Sequence, residues 1–330
     1  MINFDYIRPS TQKAALESIT KDVNAKFIAG GTNLVDLMKH GVETPQKVID
    51  INKLPLRNID ERKTGVIRIG ALALNSEVAE SELIQKKLPL LSQALEAGAS
   101  PQLRNMATIG GNILQRTRCP YFYDTTMPCN KRKPGTGCSA LNGFNRMHAI
   151  FGATDQCIAV HPSDMSVALT ALDAFVVIAG PKGERKLAFK DFHRLPGATP
   201  HIETNLQRNE IIIGVEVPDQ SSFANKSLYE KIRDRASYAF ALVSVAVAVE
   251  MNGSSIKNIK LAMGGVAHKP WRLTETENFL RGKQASDSVF EQAATIAMKG
   301  AKGYGYNNFK LKLAPNTLVD ALKKATGKVG

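Results

Sequence analysis

The chain runs to 330 residues, 43% hydrophobic and 22% charged, the mixture of an ordinary soluble globular protein with room for two or three domains. No apolar run approaches the length of a bilayer span, and MINFDYIRPSTQKAALESI has no basic segment followed by an apolar core, so neither a membrane span nor a secretory signal is expected. A cytoplasmic chain with reduced thiols follows. The net charge of +13 is dispersed and not interleaved with aromatics, which suits an acidic partner or a polyanionic cofactor better than nucleic acid.

In chain order, the pattern predicts a capped helix over 9–19 (Ser10 or Thr11, then Ala14, Leu16 and Ile19), a strand over 26–29, a helix over 33–40 and a strand over 47–51. A strand at 66–69 and helices at 76–84 and 88–97 come next. A loop rich in Pro, Gly, Asn and Arg separates them from a helix at 163–172 and strands at 174–179, 185–188 and 211–217. The polar break at 218–224 is the candidate domain boundary. Beyond it, β segments at 227–233, 241–250 and 256–263 carry a hairpin turn at Asn252-Gly253, and helices at 274–280, 287–298 and 318–324 close the chain. Strands followed by helices suggest a small α+β domain.

Two turns stand out. Lys26, Phe27, Ile28, Ala29, Gly30, Gly31, Thr32, Asn33 and Leu34 form a strand that ends in Gly-Gly and opens a helix. Glycines let backbone N–H groups approach an anion closely, and a diphosphate is the natural ligand, although a plain capped turn would read the same. Thr108-Ile109-Gly110-Gly111-Asn112 repeats the device, so the pair could grip one diphosphate from both sides. Neither carries the dinucleotide Gly-x-Gly-x-x-Gly or the P-loop lysine. His161-Pro162-Ser163-Asp164-Met165 offers Ser163 or Asp164 as a helix cap, or Asp164 as a hydrogen-bond acceptor for a ribose or an amide-bearing ring. The run from Lys231 through Arg233, Asp234 and Arg235 to Tyr238 is dense in charge for a strand end.

All four cysteines fall in one 39-residue window, Cys119, Cys129, Cys138 and Cys157, spaced Cys-x9-Cys-x8-Cys-x18-Cys. Four thiolates converging from a loop suit a zinc ion or an iron–sulfur cluster. The absence of tight Cys-x2-Cys knuckles favours the larger 4Fe–4S cube, while zinc, with His148 or His161 completing a site, and disulfides or idle thiols stay open.

With these residues in hand, the chain resembles the FAD-binding subunits of the molybdenum hydroxylases, the xanthine dehydrogenase superfamily. The AGGTNL and ATIGGN turns carry the resemblance, with Gln102 to Asn105, His161 to Met165, Lys231 to Arg235 and the Gly-Gly-Val-Ala…Lys-Pro segment. The cysteine loop is most similar to that of the bacterial aldehyde oxidoreductases with three separate subunits, and it strengthens the 4Fe–4S expectation. The hydroxybenzoyl-CoA reductases are the second branch with such a loop.

The resemblance implies an α+β fold. A two-subdomain FAD-binding unit of PCMH type would span 1–57 and 58–222, with an iron–sulfur insertion at 116–160. A C-terminal domain of antiparallel sheet plus helices would span 223–330. FAD would be held by residues 26–34, Thr108, Gly111, Asn112, Asp164, Ile212 and Lys231, with Tyr238 a candidate for the ring face, and no residue of the chain would act on the aldehyde. Partners would be a large subunit with molybdenum cofactor and a small subunit with two 2Fe–2S clusters. The basic surface, apart from the resemblance, would suit a small acidic electron carrier as a candidate acceptor. Co-export on a partner's twin-arginine signal could bring the folded complex to the periplasm.

Overall fold

The structure is a computed structural model and describes residues 1–327; the last three residues of the expected C-terminal domain lie outside it. The first unit holds β1 (Asp5–Ile7), α1 (Gln12–Lys21), β2 (Ala25–Ile28), α2 (Leu34–Lys39) and β3 (Lys47–Asp50). Its sheet is parallel with order β1-β3-β2, and Lys47 pairs with both Asp5 and Ala25. Thr11 caps α1 by accepting from the Ala14 N–H.

The second unit has β4 (Ile59–Glu61), β5 (Ile67–Gly70), α3 (Asn75–Glu80), α4 (Glu82–Lys87), α5 (Pro89–Ala97), α6 (Pro101–Arg104), α7 (Ile109–Ile113) and α8 (Pro120–Tyr123). It continues through α9 (Asp164–Ala171), β6 (Phe175–Gly180), β7 (Gly183–Ala188), α10 (Phe189–Phe192) and β8 (Ile211–Val217). The sheet order is β4-β5-β8-β6-β7, antiparallel throughout. All seven residues of β8 are buried, as a central strand covered on both faces requires.

A short turn at Ser221–Phe223 leads to β9 (Ser227–Ile232), β10 (Val243–Asn252), β11 (Ser255–Gly264), β12 (Trp271–Arg272), α11 (Thr274–Leu280), α12 (Asp287–Ala297) and α13 (Lys310–Thr326). The sheet runs β12-β11-β10-β9. Alternation along β10 explains how the last two units join. Val243, Val245, Val247 and Val249 enter the core shared with α11, α12 and α13. Ala246 and Ala248 face the core that holds α5 and α9. Large side chains fill one face, and small ones let helices of the second unit lie close on the other.

Three expectations are corrected. The helix over 76–84 breaks at Ser81, because the Ala79 carbonyl accepts from Ser92 Oγ at 2.7 Å and Gln85 Nε2 at 3.2 Å and is lost to the helix ladder. The last helix starts at Lys310, eight residues before 318, and carries Pro315 inside it. Asn252 pairs with Ser255, so the hairpin turns on Gly253-Ser254, with Gly253 at φ +57°, one residue later than Asn-Gly would place it. The strands β1 and β4 and the one-turn helices were not legible in the pattern.

Candidate functional site

The two glycine turns meet. A Cβ on Gly30 would lie 1.7 Å from the Met106 carbonyl oxygen, so only glycine lets the first turn touch the chain entering the second. Gly31 follows at φ +72°, which turns the backbone into α2. On the other side, Thr108 caps α7 by accepting from the Gly111 N–H at 3.3 Å, and Asn112 Oδ1 accepts from Ser163 Oγ at 2.6 Å and Gln115 Nε2 at 2.8 Å. Ser163 in turn caps α9 through the Ser166 N–H at 3.0 Å. Side-chain hydrogen bonds thus tie the second Gly-Gly turn to the His161–Met165 segment. Asn33 Oδ1 accepts from the Arg116 N–H at 2.9 Å, whereas Asn33 Nδ2 is buried without a partner. An orphan buried donor beside a glycine turn fits an anionic or carbonyl-bearing ligand.

Asp164, the first residue of α9, is 7% exposed and fully engaged. Its Oδ2 pairs with Lys231 Nζ at 2.8 Å, and its Oδ1 accepts from Tyr229 Oη at 2.8 Å. Burial raises the Asp164 carboxyl above its ordinary value against the pull of the Lys231 charge. Lys231 therefore arrives already neutralised and does not offer a free positive charge.

Asp164 lines a pocket walled also by Thr117, Arg118, Cys119, His148, His161 and Phe240. Of the other expected contacts, Ile212 is 3% exposed in the core around β8 and lines no wall of this pocket. Tyr238 is 57% exposed at φ +52° and stands outside it. Phe240, two residues on, takes the wall position, with the Arg118 guanidinium 5.3 Å from its ring centre. Lys26 sits on the surface, bound to Glu43 at 3.0 Å.

The four cysteines are free thiols, and all four line a second pocket whose wall contains no carboxylate. Isolated bridges pair Cys129 with Cys138 and Thr154 with Cys157, folding a loop without regular strands around that pocket. Among the described residues no three or more of His, Cys, Asp and Glu close up tightly enough to hold a single metal ion. The thiols share a pocket without converging on one point. Cys119 is pushed up to about 12 by burial, and Cys138 is pulled down by the hydrogen bond it accepts from Cys157. Neither loop histidine is a surface residue: His148 is 2% exposed and His161 is half-buried. His148 Nε2 lies 3.1 Å from Cys119 Sγ, a contact the sequence did not signal. Burial, with the Lys310 charge beyond, pulls His148 down to about 4, so its ring is neutral at ordinary pH.

The basic neighbours of the cysteines are mostly paired. Arg116 bridges Glu43 at 2.6 Å and Glu203 at 3.1 Å, Lys131 meets Glu203 at 2.7 Å and His268 Nε2 at 2.6 Å, and Arg132 donates to carbonyls of the loop itself. Burial pushes Glu203 up, but Lys131 and Arg116 outweigh it and hold its carboxyl far below the usual range. Lys131, at 3% exposure, remains on the cysteine pocket wall. No helix among the described residues is long and apolar enough to cross a membrane.

Comparison with known proteins agrees with this geometry. Residues 2–220 match the FAD binding domain in molybdopterin dehydrogenase, and residues 227–325 match the CO dehydrogenase flavoprotein C-terminal domain. The chain is 49% identical over 323 residues to the aldehyde oxidoreductase FAD-binding subunit PaoB of Escherichia coli strain K12, covering 98% of each. It is 30% identical to the glyceraldehyde dehydrogenase medium chain of Sulfolobus acidocaldarius, over 88% of this chain and 86% of that one. A solved carbon monoxide dehydrogenase chain from Hydrogenophaga pseudoflava superposes with a TM-score of 0.77 at 26% identity, over 100% of both chains. The shared α+β architecture, the paired glycine turns and the match of both halves establish that this chain belongs to the FAD-binding medium-subunit family of the molybdenum hydroxylases, whose members are oxidoreductase subunits.

Proposed function

We propose that this chain is the electron-transfer subunit, carrying FAD and a 4Fe–4S cluster, of a molybdenum-dependent aldehyde oxidoreductase. The observation that carries the reading is the adjacency of the two pockets: Thr117 and Cys119 line both the cavity beside Asp164 and the cysteine pocket. Two redox groups separated by one wall suit electron passage and would be an odd arrangement for a purely structural metal. The relatives named as aldehyde-oxidising subunits support the substrate class.

FAD, when bound, would supply the one- and two-electron chemistry through which electrons taken from an aldehyde leave the complex. The chain's own work is placement. The backbone of Gly30 and Gly31, with Asn33, Thr108, Gly111 and Asn112, would hold the diphosphate, and the Asp164–Lys231 pair would close the end of the cavity. Cys119, Cys129, Cys138 and Cys157 would hold the cluster, whose four ligating sulfurs stand farther apart than the ligands of one ion. The partners are a large subunit with molybdenum cofactor, where the aldehyde is oxidised with water as oxygen source, and a small subunit with two 2Fe–2S clusters. A small acidic protein is the acceptor, drawn by the +13 charge, and its rate should fall steeply with salt. The complex works in the cytoplasm, or in the periplasm if a partner's twin-arginine signal exports it folded.

The test is an absorption spectrum of the anaerobically purified complex, with iron, sulfide and zinc analysis of this subunit. Flavin bands with about four irons and four sulfides in this chain support the reading. Flavin with zinc and no iron keeps the family and overturns the cluster. Activity on a hydroxybenzoyl-CoA and none on aldehydes would move the chain to the reductase branch.

A further inference from the structure

Beside the wall that the two pockets share stands His148, a side chain that neither cofactor set includes. His148 lines the cavity beside Asp164, and its Nε2 lies 3.1 Å from Cys119 Sγ, the cysteine common to both walls. The His148 backbone is held by the C-terminal domain. The His148 carbonyl accepts from Lys310 Nζ at 3.0 Å and from Asn307 Nδ2 at 3.3 Å, and Lys310 Nζ also donates to the Gly265 carbonyl at 2.7 Å. On the insertion side, the His148 N–H donates to the Asn145 carbonyl, and Asn145 Nδ2 donates to the Tyr304 carbonyl at 2.7 Å. Two polar clamps from residues 304–310 fix the backbone from which that imidazole projects.

The ring's protonation pattern follows from its neighbours. The Asn145 carbonyl also acts on the His148 ring, so the proton's place is set by the sulfur and not by the Nδ1 side. A proton on Nε2 has an acceptor, the Cys119 sulfur, at hydrogen-bond distance. When that sulfur is a cluster-bound thiolate it can only accept, which fixes Nε2 as the donor.

We propose that His148 is a positioning residue that donates a hydrogen bond from Nε2 to Cys119 Sγ and thereby sets the reduction potential of the cluster. The inference rests on the 4Fe–4S reading above and goes beyond it by naming the group that tunes it. Reduction adds negative charge that spreads onto the ligating sulfurs. An N–H aimed at one of them stabilises the reduced state more than the oxidised one and raises the potential. Lys131, also on the cysteine pocket wall, shares its charge with Glu203, Arg118, next to Cys119, is bound to Tyr123, and the Cys119 sulfur takes backbone hydrogen bonds from Tyr121 and Phe122, so His148 is the side chain that adds a donor to that ligand.

The experiment uses the full complex, purified anaerobically as wild type, His148→Leu and His148→Gln, with iron and sulfide measured in each. Midpoint potentials come from redox titration followed by electron paramagnetic resonance of the reduced cluster. Leucine removes the donor, and glutamine keeps an N–H near the position of Nε2. The expected result is full iron in all three, a Leu variant whose reduction equilibrium is about tenfold less favourable, or about 59 mV lower for a one-electron couple, and a Gln variant close to wild type. An unchanged potential in the Leu variant overturns the proposal. So does a Gln variant as low as Leu, which would make bulk and not the N–H the cause, or a Leu variant that has lost its iron, which would make the contact one of retention. Wild type without iron removes the cluster itself, and that outcome is seen before any variant is compared.

Discussion

Gly30 and Gly31 are adjacent and are glycine for different reasons, which gives them different costs of substitution. At Gly31 the demand is conformational: φ is +72°, and an added Cβ meets only the ends of Val35 and Ile28 at 3.2 and 3.3 Å. An alanine there carries left-handed strain of about 1–2 kcal/mol. At Gly30 the demand is space, because the obstruction is the Met106 backbone at 1.7 Å, which cannot rotate away. Gly30→Ala must separate the two turns, and we expect it to cost about 3 kcal/mol, the upper end of overpacking, and to strip the purified subunit of most of its flavin. Gly41, at φ +70° with nothing within 4 Å of an added Cβ, is the control. Gly41→Ala should cost about 1–2 kcal/mol through strain alone and leave the flavin content intact. Urea midpoints and the ratio of flavin to protein absorbance decide it: flavin retained by Gly30→Ala would show that contact of the turns is not what makes the site. The Gly-Gly pair was visible in the sequence, but which glycine answers to which demand was not, because Met106 lies 76 positions from Gly30.

Among the elements, long alternating or amphipathic runs were legible and interruptions were not. The strand β11 and the helices α1, α5, α11 and α12 fall where periodicity puts them, and β10 and α9 fall where continuous apolar runs put them, since both are buried nearly throughout. The split between α3 and α4 comes from a side chain thirteen residues away, and the insertion around the cysteines is organised by isolated bridges that no periodicity announces. The paired charges beside it are equally hidden, since Arg116 and Lys131 find Glu203 across 87 and 72 positions. Of the expected site, Asp164 and the four cysteines line the two pockets, while the glycine turns, Lys231, Ile212 and Tyr238 line neither, since a residue type alone does not tell a core face from a cavity wall. The last helix departs in the opposite direction, starting before 318 and running through Pro315. A proline inside a helix removes one ladder bond and crowds the preceding turn, at about 3 kcal/mol. The helix continues because Ala314, Leu318, Ala321, Leu322 and Ala325 are all buried in the core with β10 and α12. That burial outweighs the local penalty, so Pro315→Ala should raise stability by about 1–3 kcal/mol with no change in flavin content. A thermal melt that moves downward would mean that a bend at Pro315 is needed for the packing.

For the whole molecule, the insertion is bolted to everything around it, and Lys310 is the bolt that pH can loosen. It starts α13, is 0% exposed, and donates to the carbonyls of His148 in the insertion and Gly265 after β11, with no carboxylate at hand. Burial, and secondarily the Arg146 charge, bring its ammonium down from 10.5 to about 7. The sign follows from proton counting. Between about pH 7 and 10.5 the unfolded chain holds a proton on this lysine that the native chain has released. Stability therefore rises with pH across that window, with a limiting slope of about 1.4 kcal/mol per pH unit for one proton. Below the window the lysine is charged in both states, and the full cost of burying that charge is present. Lys310→Met removes the titrating group, and it leaves two carbonyls short of a donor, so the variant should be less stable at high pH and gain little as pH rises. Urea midpoints at pH 7, 8, 9 and 10 for both proteins give the answer by difference, since buried tyrosines and the remaining lysines titrate alike in each. A wild-type curve parallel to the variant's would mean that Lys310 keeps its proton, with the two carbonyls stabilising the ammonium enough to offset its burial.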